Sequence, residues 1–228
     1  MVLAFKIFEV VEEIDMATIA SKLKNYRLLE VEEIDGREVE VGVEVANLEV
    51  VDKSLVGVVD ESFIVSLRYK GEEFRAPITV STRFEFYPYE DRLLLIIAAK
   101  KPRANRLALM FSTILSAKKT AILEAQIPAE TLKALHEERP GSTKVVFFDN
   151  VKLPGVDKLS LYGEQLANTS LYNEYLKLGK VWYVVFEAEE GFVLGITRNC
   201  VVVFFSRIDE NSALEYIKEK IIPLTVKP

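Results

Sequence analysis

Apolar and polar positions alternate along much of this chain. Val39, Val41, Val43 and Val45 occupy every second position, with Glu38, Glu40 and Glu44 between them and Gly42 interrupting the polar row. A period of two sends successive side chains to opposite faces of a strand. Asp35-Gly36 precedes the row and tolerates the positive φ angles of a type I′ turn, so a β-hairpin is expected here. Residues 3–12, 54–59, 62–69, 74–86 and 91–98 read as further strands, with turns at Lys70-Gly71 and Tyr87-Pro88. Pro77 cannot donate to a ladder and marks an edge position or a bulge.

The period changes between Lys100 and Lys119. Leu107, Met110, Phe111, Ile114 and Leu115 recur at helical spacing, and Pro102 suits a first helical turn. A helix over 103–117 is predicted, with Leu107, Phe111 and Ile114 deep in the core. A shorter helix near the start is capped by Asp15 and carries Ile19 and Leu23 inward.

The second half repeats the order. Thr120–Ile127 reads as a strand, and Pro128 opens a helix that Pro140-Gly141 ends. Strands follow at Val145–Phe148 and Leu159–Tyr162. Thr169 and Gly179 bracket a helix. Val181–Ala188, Phe192–Thr197 and Cys200–Ser206 read as three more strands, and Asp209 caps a last amphipathic helix. Ile14-x-x-x-Thr18-Ile19 matches Ile127-x-x-x-Thr131-Leu132 in spacing. The expected class is α+β: antiparallel sheets with a few flanking helices, in an internally duplicated, two-lobe arrangement. Residues 1–118 would be an antiparallel-sheet lobe closed by a helix. Residues 119–228 would be a second α+β lobe ending in a three-strand meander and a C-terminal helix.

Within that second lobe, VLGITRNCVVVFF followed by ENSALEYIKEKI completes a helix, three antiparallel strands and a helix over about 169–221. This order resembles one half of the TATA-binding-protein fold. The resemblance covers under a quarter of the chain and implies a fold, not an activity. The wedge aromatics of that family have no assignable counterpart here, and the acidic net charge departs from it.

Composition narrows the classes. Half of the 228 residues are hydrophobic, enough for a sizeable core, and the formal charge of −6 opposes a nucleic-acid-coating protein. One cysteine, Cys200, excludes an internal disulfide, and one histidine, His136, excludes a zinc site of Cys and His within one chain. No apolar run reaches the roughly 18 to 20 residues that span a bilayer. The start turns acidic at once, unlike a signal peptide, so a cytoplasmic protein is expected. Few Cys, Met, His and Gln beside many Glu and Lys match a protein from a hot environment.

The candidate site is cationic. Lys100, Lys101, Arg103 and Arg106 bracket a helix start, where free N–H groups already favour anions such as phosphate. Glu30, Glu32, Glu33, Asp35, Glu38, Glu40 and Glu44 are weighed as ligands for Mg²⁺ or Mn²⁺, but alternation splits them between faces, so no metal site is assigned. His136 lacks a carboxylate and serine partner set, and a buried Cys200 is a small hydrophobe. Phe84 and Phe86 share a strand face, which favours core packing over base stacking. No nucleotide-binding glycine loop, catalytic set or cofactor is indicated. The expectation is a non-enzymatic binding or scaffold protein contacting a nucleic-acid backbone or a protein partner. A metal-dependent phosphodiester hydrolase and a homo-oligomeric structural protein are the alternatives.

Overall fold

The computed structural model describes residues 2–116, 120–138 and 141–227. Lys118, Lys119 and Pro140, the expected boundary between residues 118 and 119, and the predicted helix end at 117 lie outside the described residues. Among the described residues the fold is dominated by a large antiparallel sheet of twelve strands with five short helices, 48% strand against 27% helix. This overturns the α+β expectation: the fold is sheet-dominated and not a balanced mix of helix and strand. Runs that read as separate short strands join into long ones, and the helices stay between 7 and 15 residues. Among the described residues no helix is long and apolar enough to cross a membrane.

The chain divides into two compact units. The central unit comprises Val10–Ala98 and Asn105–Ile122, and the terminal unit comprises Met1–Glu9, Ala99–Ala104 and Leu123–Pro228. Strand β1 (Leu3–Val10) and helix α1 (Met16–Leu23) come first, and Asp15 caps α1 by accepting from the Thr18 N–H at 2.8 Å. The central unit then runs β2 (Arg27–Ile34), β3 (Arg37–Val51), β4 (Ser54–Tyr69), β5 (Glu72–Tyr89) and β6 (Arg92–Ile97), each paired with the next. Asp35 and Gly36 have φ of 50° and 78° between the paired residues Ile34 and Arg37, the two-residue turn expected there. Lys70-Gly71 makes another.

One turn is new, and two turn and strand assignments change. Asp52-Lys53 reverses the chain with φ of 47° and 75° and without a glycine. Asp60 and Glu61 do not break β4: Asp60 accepts from Ser81 Oγ at 2.5 Å, and Glu61 receives Arg106. Tyr87 and Pro88 belong to β5, and the turn lies at Glu90, with φ 53°. Pro88 is tolerated because the pairing of β5 with β4 ends at Phe86, so one side of it needs no donor. Pro77 likewise faces β4 alone, the edge position its residue type suggested.

Helix α2 (Lys101–Leu115) supplies the lid of the central core. Phe111 is fully buried, 4.7 Å from the Phe84 ring and 5.6 Å from Phe86. Leu107 is buried with it, whereas Ile114 is only half-buried, against the expectation for that side chain. Gly57 in β4 leaves the space the Phe84 ring fills: a Cβ there would stand 2.6 Å from Phe84 Cζ.

The terminal unit pairs β1 with β12 (Val201–Phe204), then β11 (Val193–Thr197), β10 (Lys180–Glu187), β8 (Thr143–Asp149) and β9 (Leu159–Tyr162). The run Thr120–Ile127 shortens to a three-residue strand, β7 (Ile122–Glu124). Helices α3 (Ala129–Glu138), α4 (Ser170–Leu178) and α5 (Glu210–Tyr216) complete it, and a π-helical turn at Ile217–Ile221 extends the last. Thr169 and Asp209 cap α4 and α5 through the N–H groups of Tyr172 and Ser212.

Candidate functional site

The ladder between β3 and β4 stops short. It runs from Val51–Ser54 to Gly42–Ser62, and there it ends. Beyond that pair, among the described residues, residues 37–41 of β3 keep only β2 as a neighbour, and residues 63–69 of β4 keep only β5. Two hairpin arms therefore diverge from one sheet. Gly42 stands at the parting, with φ of 133° and the Leu28 carbonyl in the space a side chain would need. Any L-residue would be strained there by the backbone angle and by that oxygen.

A cleft of about 530 Å³ opens between the arms. Leu28, Glu30, Glu32 and Val41 line it from the first arm, and Phe63 and Arg75 from the second. Arg75 reaches across to Glu32 at 3.6 Å. Glu30 has no ion-pair partner among the described residues.

The second arm carries an apolar face with nothing over it among the described residues. Phe63 lies opposite Ile78, and Leu67 opposite Phe74, so all four share one side of the hairpin with Tyr69. Their exposure ranges from 38% at Ile78 to 63% at Tyr69. Alternation sets these side chains on one face, and that face meets no core among the described residues. A hairpin standing alone in water is marginally stable at best, so this arm is suited to being covered. Sequence reasoning missed the site, although Gly42 interrupting the polar row was its signal.

The acidic residues of the first arm do not converge. Pairing of Glu30 with Val41 and of Glu33 with Glu38 sets Glu30 and Glu32 on one face and Glu33, Glu38 and Glu40 on the other. Among the described residues no group of three His, Cys, Asp or Glu is arranged to hold a metal ion.

The predicted cationic residues divide. Lys100 and Lys101 are exposed in the terminal unit, and Arg103 there is half-buried and engaged. Arg106 belongs to the central unit, where its Nη2 donates to Glu61 Oε1 at 2.5 Å. A different cationic hollow exists in the terminal unit. About 270 Å³ in volume, it has Lys133, Lys152, Lys177 and Lys180 at its rim beside Glu130. Lys133 is tied to Glu137 at 2.9 Å, and the other three have no ion-pair partner among the described residues.

The other singled-out side chains are structural. His136 is 1% exposed, neither ring nitrogen has a hydrogen-bond partner among the described residues, and its ring meets Tyr172 edge-on at 4.7 Å. Burial pushes its pKa down to about 4, so it is neutral at neutral pH. Lys6 is buried in the middle of β1, with Nζ 2.6 Å from Glu124 Oε1 and 3.2 Å from the Asn199 carbonyl. Burial holds the Lys6 pKa below the ordinary lysine value. Burial opposes the charge on Glu124 too, but the hydrogen bond and charge of Lys6 outweigh it and leave that pKa below the usual carboxylate value. Cys200 is fully buried. No protein-family model matches the chain, and no curated protein is similar to it in sequence.

Proposed function

We propose that this chain is a non-enzymatic binding protein that holds a protein partner at the forked end of its central unit. The observation that carries the reading is the row Phe63, Leu67, Phe74 and Ile78, exposed along one face of an arm that leaves the sheet. Covering such side chains contributes roughly 1.5–3 kcal/mol each when burial is complete, an ample source of affinity for a surface of this kind. Exposed apolar patches rimmed by polar residues are also how interaction sites usually present themselves. A display library of random peptides, selected on the full chain, tests it. Enriched peptides should lose binding to a Leu67→Asp/Phe74→Asp variant that keeps its thermal transition. Selection without binders, or binders indifferent to that variant, would overturn the reading.

A second reading, contact with the phosphates of a nucleic-acid backbone, draws on the exposed Lys100 and Lys101 and on the unpaired Lys152, Lys177 and Lys180. It ranks below the first because the chain is acidic overall and Arg106 is committed to Glu61.

A further inference from the structure

The parted ladder does more than expose side chains. Residues 63–69 of β4 are in extended conformation, yet among the described residues only their β5 side has a strand neighbour. Backbone N–H and C=O groups along such an edge are strong hydrogen-bonding groups that a further strand can pair. The edge ends where Ser62 meets Gly42, so an added strand has a fixed stop and a length of about seven residues.

Resting on the binding reading above, we infer that the partner enters the fork as an extended segment that adds to the free edge of β4 and alternates apolar with basic side chains. Alternation follows from the pleat. A strand beside β4 sends every second side chain to the face of Phe63, Leu67 and Tyr69, where apolar groups extend the existing row. Charge follows from the opposite wall. The first arm, residues 27–41, holds six acidic residues against two basic ones, and it presents carboxylates on both of its faces. Arg75 engages Glu32, but Glu30, Glu33 and Glu38 have no ion-pair partner among the described residues. The basic side chains of the segment then lie on the face of Ser62, Ser66, Arg68 and Arg75, with Glu30 and Glu32 across the cleft. An acidic segment would face like charge across the cleft, which disfavours it.

A helix is a poorer occupant. It satisfies its own backbone and would leave the β4 edge as it is, and its width of about 10 Å or more matches no feature of a wedge that narrows to one ladder spacing at Gly42. A second copy of this chain is disfavoured by the same charge balance, since its own first arm is acidic.

The test uses nine-residue peptides against the full chain. One alternates Val with Lys, one alternates Val with Glu, and one has the Val and Lys composition with two central prolines. Binding is read by fluorescence anisotropy at low and moderate salt, and the bound peptide's backbone by infrared spectroscopy with ¹³C carbonyl labels. Sedimentation reports the oligomeric state. The expected result is that only the Val–Lys peptide binds, with the amide band of an extended strand in the complex. The reversal Glu30→Lys should weaken it by about threefold, the size of one surface charge pair. Equal binding of the proline peptide, preference for the acidic peptide, or a helical band would overturn the inference. So would a concentration-dependent dimer that Leu67→Asp/Phe74→Asp abolishes, since the occupant would then be a second copy. In the first three cases the binding reading stands if display-selected peptides still depend on Leu67 and Phe74, so its failure and the failure of this inference are separately visible.

Discussion

Leu67 lies directly opposite Phe74 in the β4–β5 ladder, and the two side chains are 54% and 47% exposed. A cross-strand apolar pair of this kind normally faces a core. Here no element packs over that face among the described residues, so the pair faces solvent.

That relationship separates two classes of apolar residue by stability. Leu67→Ser and Phe74→Ser should each change unfolding free energy by no more than about 1 kcal/mol, because little burial is lost. Phe111→Ala, which empties the space between Phe84 and Phe86, should cost about 3–5 kcal/mol, and Leu107→Ala about 2–5 kcal/mol. Urea titrations of the four variants check the contrast.

Gly57 tests the same core from the other side. A methyl group at that position would lie 2.6 Å from Phe84 Cζ and 3.0 Å from Leu48 Cδ1. Gly57→Ala should therefore destabilise by about 1–3 kcal/mol through overpacking, although alanine ordinarily suits a strand better than glycine. A stabilised variant in thermal unfolding would contradict this packing.

His136 gives the protein a defined response to acid. Its pKa is about 4 in the folded chain because burial opposes the charge, against the ordinary 6.5 once unfolded. Between these values the unfolded state binds more protons. The contribution is complete above pH 6.5 and is lost as pH falls towards 4, by up to about 3 kcal/mol. His136→Leu should flatten the difference over that window, as measured by unfolding at several pH values.

The pair of buried Lys6 in β1 and half-buried Glu124 in β7 should be asymmetric to mutation. Glu124→Ala strands the Lys6 ammonium without its counter-charge and should cost about 3–5 kcal/mol. Replacing both, Lys6→Met with Glu124→Leu, should cost clearly less than Glu124→Ala alone. The comparison is again an unfolding titration.

Local chemistry made part of this fold legible. Asp35-Gly36, Lys70-Gly71, Asp15, Thr169 and Asp209 carry turn or cap chemistry in their own side chains, and each does what its residue type suggests. Asp52-Lys53 was not legible, because it turns without glycine. Tyr87-Pro88 misled, because whether a strand tolerates proline depends on which side of it lacks a neighbour. The long strands reduced the expected helix share for a similar reason: Asp60-Glu61 looks like a break until Ser81 and Arg106 supply partners from 21 and 45 residues away. The fork was hidden most completely. Alternation at Phe63, Val65, Leu67 and Tyr69 marks an apolar face, and it does not say whether anything lies against that face.

The most direct measurement is amide hydrogen exchange on the full chain, alone and saturated with the strongest display-selected peptide. Strand addition at the fork predicts slower exchange at residues 63–69, with little change in β10–β12 of the terminal unit. Unchanged exchange at 63–69, with slowing elsewhere, would contradict it.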